Sequence, residues 1–187
     1  MTQDRPLRAD AARNRAKILE AADAQIVAHG PEVPMEAIAA AAGVAVGTLY
    51  RHFPTKQALV AAVIESHLEY MAVEIEAALA RVEAGERAAD VLFEIAGRVL
   101  ESAASDKTVK AAASAIGAEY DPGDSFDRMT VASARIVKAA VDDGDLRPDL
   151  TVDDLFLVFN TLPTELPADA RRRWLTLMLD GFCTGRR

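Results

Sequence analysis

Between Ile64 and Val82 the chain places Ile64, Leu68, Met71, Ile75, Leu79 and Val82 at successive spacings of three and four residues, a single apolar stripe of about five turns. Gly85 closes the segment. A stripe this long must be covered by other elements, and no strand is on offer to cover it. Val, Ile and Thr never alternate with polar residues over the length of a strand. Alanine is abundant and aromatic residues make up only 5% of the chain, which favours helices packed on helices. The expected fold class is all-α.

Gly and Pro punctuation divides the remaining sequence into further helices. The first is expected over roughly Asp10 to Ala28, with Ile18, Leu19, Ala22 and Ile26 on one face and Gly30 suited to a left-handed C-terminal position. A short one follows Pro34, carrying Met35, Ile38, Ala39 and Ala42 and stopping at Gly43. A third spans Val46 to His52 and is closed by Pro54. The long helix opens at Thr55, a good N-cap, although Gln57 comes one residue too soon for a capping box. Beyond it, helices are expected at Ala88–Ser102, Asp106–Ala118, Asp124–Val141, Val152–Leu162 and Ala168–Cys183. The punctuation suggests a head of short helices over 10–55 and a helical body over 56–187. They would join inside or at the start of the long helix, without a flexible linker.

Several function classes are disfavoured. Cys183 is the sole cysteine, so neither an intrachain disulfide nor a thiolate metal cluster can form. His29, His52 and His67 lie at no three- or four-residue spacing that would pair two metal ligands on one helical face. Asp142, Asp143, Asp145 and Asp149 lack the order and terminal Glu of a calcium loop and read as turn residues. There is no Gly-rich phosphate loop, nucleophile elbow or Cys–His pairing, so the expectation is no enzyme and no cofactor. The N-terminus is polar, and the longest run without a formal charge, Ala37 to Tyr50, is 14 residues broken by two glycines. A cytoplasmic protein that does not enter a membrane is expected.

The net charge of −8 argues against nucleic acid until its distribution is seen. Through Lys56 there are seven Lys and Arg against six Asp and Glu, a net of +1; from Gln57 onward there are 14 against 23, a net of −9. The acid sits in the second part. The first contains "AAGVAVGTLYRHFPTKQAL", where Gly43 supplies a corner between two short helices, the proportions of a helix-turn-helix. Val44, Leu49 and Phe53 should turn inward with Ile18, Ile26 and Ile38. Val46, Gly47, Thr48, Tyr50, Arg51 and His52 then face outward, and such a helix fits the DNA major groove.

Over about residues 13–64, the segments "RNRAKILEAADAQIVAHG" and "MEAIAAAAGVAVGTLYRHFPTKQALVAAV" resemble the N-terminal domain of TetR-family transcriptional regulators. Gly43-Val44, Gly47-Thr48-Leu49-Tyr50, His52-Phe53 and Lys56 carry the resemblance. It implies that Thr48 and Tyr50 touch the DNA backbone or bases, that His52 and Lys56 grip phosphate, and that Gly47 lets the backbone approach. Two positions depart from the family pattern: Ala45 replaces a common Ser, losing a helix cap, and Val46 stands where a polar reader is common. Base reading falls to Arg51, on guanine or else on phosphate, and to Thr48, with Val46 available for a thymine methyl. Arg5, Arg8, Arg13 and Arg15 form a basic arm, a first turn or a tail.

The resemblance further implies a body that binds a small molecule and a final pair of helices that joins two subunits. "VDDLFLVFNTLP" and "WLTLMLDGF" are apolar nearly all round, which asks for cover on both sides. Leu155, Phe159, Leu162, Trp174, Met178 and Phe182 are the candidates for a homodimer interface. Tyr70, Met71, Phe93, Tyr120, Met129 and Phe156 are the candidates to line a site for a small hydrophobic effector. The expected partners are double-stranded DNA, a second copy of the chain and that effector. The resulting reading is a ligand-responsive repressor acting as a homodimer on a pseudo-palindromic operator. Its alternative is a helix-turn-helix architectural or protein-interaction regulator without small-molecule control.

Overall fold

The computed structural model describes the backbone of residues 4–184 and the side chains of residues 10–184 except Ala104. In order, the helices are α1 (Asp4–His29), α2 (Met35–Ala41), α3 (Val46–His52), α4 (Lys56–Glu83), α5 (Ala88–Ala115), α6 (Gly123–Asp142), α7 (Val152–Asn160) and α8 (Ala168–Phe182). Among the described residues the extended pairing is limited to one isolated bridge, Leu146 to Cys183. The fold is all-α, as the periodicity requires. No helix among the described residues is long and apolar enough to cross a membrane.

The chain forms two compact units. The first holds the described residues up to His67 together with Ser105–Asp121. α1 packs on α2 and α2 on α3. The buried residues of this unit include Ile18, Ile26, Ile38, Leu49, Phe53, Leu59, Ile64 and Val109. Gly30 and Gly43 have φ of 77° and 66°, the left-handed conformation that lets α1 and α2 stop sharply.

The second unit comprises Leu68–Ala104 and the chain from Pro122 onward. One core cluster gathers Ile75, Ala78, Val91, Leu92, Ile136, Leu146 and Leu155; another gathers Ala96, Leu100, Leu162, Leu175 and Leu179. On α4 the deepest residues beyond Leu68 are Ala72, Ile75 and Ala78, while Met71, Leu79 and Val82 are half-buried and flank them. Small residues in the middle of the stripe let the neighbouring helices come close.

Charge ladders border α4 on both sides in this unit. Arg128 of α6 reaches Glu69 at 2.9 Å and Glu76 at 2.6 Å, and Arg135 pairs with Glu83. Arg98 of α5 meets Glu74 at 2.5 Å, and Arg81 meets Glu94 at 2.8 Å. Hydrogen bonds from Ser125 and Arg128 hold the Glu69 carboxyl below its usual range, and Arg128 does the same for Glu76. These pairs are exposed, so they set register more than stability. Aspartates at the end of α6 and beyond it also find cations: Asp142 pairs with Lys138, Asp145 with Arg87 and Asp149 with Arg147.

One element differs from expectation. Ala88–Ser102 and Asp106–Ala118 are a single helix, α5, of 28 residues. "SAASDKTVK" contains neither Gly nor Pro, so nothing stops the helix there. Asp106, placed as the start of a new helix, lies inside α5 with its carboxylate 3.1 Å from His67.

Candidate nucleic-acid interface

The corner between α2 and α3 is built by backbone hydrogen bonds. The Gly43 N–H donates to the Ala40 carbonyl at 3.1 Å and the Val44 N–H to the Ala39 carbonyl at 3.1 Å, a Schellman pair that satisfies the end of α2. Ala45 enters α3 with extended backbone and no side-chain cap, as its methyl dictates. The helix is held instead by what it buries. Leu49 is fully buried and Phe53 nearly so, while Val44 is only half-buried.

That anchoring turns the remaining side chains outward. Val46, Gly47, Tyr50 and Arg51 are exposed, and Thr48 and His52 are half-buried on the same short helix. The Tyr50 hydroxyl lies 3.5 Å from Glu36 of α2, a long hydrogen bond that leans the ring across the two helices. Glu36 is a participant that the sequence pattern did not single out. Its one signal was a place in the first turn of α2, where a carboxylate suits the helix dipole.

Lys56 is the first residue of α4 and is half-buried. Thr55 caps that helix, accepting from the Ala58 N–H at 3.1 Å. The ammonium and the start of the helix together present positive charge beside α3, the arrangement that favours phosphate. Arg15 stacks over the Phe53 ring at 5.5 Å, which holds it against the junction between α3 and α4. Arg13 pairs with Asp10. Both arginines belong to α1 and not to an extended arm; the side chains of Arg5 and Arg8 lie outside the described residues.

In the second unit the candidate residues separate. Met71, Phe93 and Met129 are half-buried against the first core cluster, and Phe156 is half-buried and stacks on Phe126 at 5.7 Å. Tyr70 is 62% exposed on the outer face of α4 and does not line an interior site. Tyr120 is exposed and belongs to the first unit. Both were placed by size, and size does not say which way α4 turns Tyr70 or that Tyr120 falls in the loop between α5 and α6.

The proposed dimer residues also need correction. Leu155 and Leu162 are 3% and 8% exposed, so they are spent on the core of their own chain and have almost no surface left for a partner. Phe159, Trp174, Met178 and Phe182 are half-buried. The large apolar side chains that α7 and α8 leave exposed are Leu157 and Leu177, 64% and 49% exposed. The sequence names both helices as apolar all round, but short amphipathic segments do not reveal which apolar face their own core takes.

Residues 18–63 match the family described as bacterial regulatory proteins, tetR family. Among solved structures, the TetR transcription regulatory protein from Mycobacterium vanbaalenii is 33% identical with a TM-score of 0.77, over 96% of this chain and 100% of that one. A TetR transcriptional regulator from Streptomyces coelicolor is 29% identical with a TM-score of 0.74, over 92% and 99% of the two chains. A gamma-butyrolactone receptor shares the fold at 21% identity and a TM-score of 0.64, over 94% and 91%. No curated protein matches the chain. The family match falls on the helix-turn-helix, and the likeness to a solved member spans nearly all of both chains; the protein belongs to the TetR family of transcriptional regulators.

Proposed function

We propose that the protein is a cytoplasmic, ligand-responsive repressor that binds a pseudo-palindromic operator as a homodimer. Family membership makes it a DNA-binding transcription regulator and not an enzyme. The observation that carries the finer reading is the outward arc of α3, with Val46, Gly47, Thr48, Tyr50, Arg51 and His52 beside Lys56. Arg51 offers two parallel donors to guanine, Thr48 and Tyr50 offer hydroxyls to phosphate or base, and Val46 offers a methyl contact to thymine. His52, Lys56 and Arg15 hold the backbone.

Two-fold symmetry follows from the operator geometry, since paired recognition helices must lie about 34–36 Å apart to meet successive faces of the major groove. Leu157 and Leu177 support a partner surface on α7 and α8, with Phe159, Trp174, Met178 and Phe182 at its border. For the effector, Phe93 and Phe159 each pack against both core clusters of the second unit, so a hydrophobic molecule entering that seam would part them. Met71, Met129 and Phe156 would border it. The gamma-butyrolactone receptor of the same fold is named for a small molecule, which is consistent with such a site. An effector releases DNA only if it prefers the conformation that does not bind it.

The test is selection of genomic fragments by the purified protein, repeated with Tyr50→Ala plus Lys56→Ala. An enriched palindrome that the double variant no longer selects is the expected result. Absence of any enriched sequence would remove the operator reading. Leu177→Glu should yield monomers in sedimentation, and a reporter behind the enriched site should rise when the gene for the protein is deleted.

A further inference from the structure

His67 lies between two carboxylates from two other helices. Its Nδ1 is 3.1 Å from Oδ1 of Asp106 on α5, and its Nε2 is 3.4 Å from Oδ1 of Asp23 on α1. All three side chains are about 30% exposed. The place matters as much as the contacts. His67 is the last residue of α4 in the first unit and Ser105 the first residue of α5 in it, so all three side chains belong to that unit. Further along, Val109, Ala112 and Ala113 of α5 are buried within the first unit. The Gln57 side chain reaches the Ile116 carbonyl at 3.5 Å, one residue from Lys56.

We propose that His67 is a positioning residue whose proton ties the second half of α5 to the DNA-binding unit, so that operator affinity follows the protonation of this one imidazole. A neutral imidazole donates from one nitrogen and presents a lone pair at the other, so it can satisfy only one of two facing carboxylates. The imidazolium donates from both. The need is real at Asp23, whose Oδ1 is buried without a hydrogen-bond partner even though the imidazole is within ion-pair distance. Burial pushes the Asp23 carboxyl up, the charge of His67 pulls it down, and Asp106 pushes it up again. An ionised Asp23 therefore carries a cost that the imidazolium offsets.

The same groups act on His67. Its hydrogen bond to Asp106 raises its pKa above the usual 6.5 against the opposing effect of burial; Asp23 adds to the rise and Lys110 of α5 opposes it. A pKa raised in the folded state means that the clamp contributes its full stability below about 6.5 and loses it as the pH climbs through the raised value. Loss of the proton leaves the imidazole bonded to only one of the two carboxylates, so the link from α1 through α4 to α5 is broken on one side, in the helix that begins at Lys56. The link to DNA rests on the proposal that this face binds the operator.

The test measures affinity for the selected operator between pH 6 and 8.5 with wild type, His67→Gln and His67→Lys. His52 is retained in all three, so differences between profiles belong to His67. Wild type should lose on the order of fivefold in affinity as the pH rises, beyond the loss common to the variants. His67→Gln should bind weakly without that step, and His67→Lys should keep tight binding to higher pH. Coincident profiles for wild type and His67→Gln would overturn the proposal. Imidazole NMR of the full chain without DNA provides the second arm, read with amide protection of residues 105–115. His67 should titrate above 6.5 and protection should fall with deprotonation; titration at or below 6.5 sinks the clamp. If wild type selects no operator, the function reading fails by itself, and this second arm still decides the clamp.

Discussion

α3 and α7 are both short, seven and nine residues, and they are held by opposite means. α7 closes its own start: Thr151 accepts from the Asp154 N–H at 3.3 Å, and Asp154 accepts from the Thr151 N–H at 2.9 Å, a reciprocal capping box. α3 begins at Ala45 with no side-chain cap and continues with Val46 and Gly47, both poor helix formers. Its position comes from the Gly43 turn and from burying Leu49 and Phe53. A helix whose outer residues must stay available to a partner gives up local stabilisation and is placed by its neighbours. A helix of the body can spend its polar residues on itself.

The largest test of this contrast is Leu49→Ala, which should cost about 2–5 kcal/mol in urea unfolding because the side chain is fully buried. A cost well under ~1 kcal/mol would mean that α3 holds itself. Gly43→Ala should cost about 1–2 kcal/mol. No atom lies within 4 Å of the added Cβ, so the whole penalty comes from the left-handed backbone. The two caps give a matched pair of smaller effects. Thr151→Ala should lose about 1 kcal/mol, whereas Ala45→Ser should gain up to roughly that amount by supplying the missing acceptor. If Ala45→Ser leaves the unfolding midpoint unchanged, the missing cap is not what distinguishes the helices. Smallest in stability is Lys56→Ala, expected within about 0.5 kcal/mol of wild type. Its effect should appear in DNA binding, as a salt dependence shallower by about one counterion.

Much of the first unit was legible because its signals are local. Val46–His52 is the helix that the spacing outlines, Thr55 caps α4, and Gly30 and Gly43 take the left-handed conformation that a sharp stop requires. The outward residues of α3 follow from Leu49 being the residue that this helix buries. The second unit was less legible. Apolar residues surround α7 and α8, so sequence could not say that Leu155 and Leu162 serve the chain's own core while Leu157 and Leu177 remain outside. Tyr70 sits among apolar neighbours on α4 yet points outward. Asp106, the expected start of a further helix, lies inside α5 because no Gly or Pro around it stops the helix, and its carboxylate meets His67.

From sequence alone came the all-helical class, the corner at Gly43 and the outward face of α3, because periodicity, turn chemistry and capping act over a few residues. Tertiary structure alone decided which side of an all-round apolar helix is buried. It also brought Asp23, His67 and Asp106 together from three helices. Those outcomes depend on long-range packing and on electrostatic partners far apart in the chain, which no local pattern records.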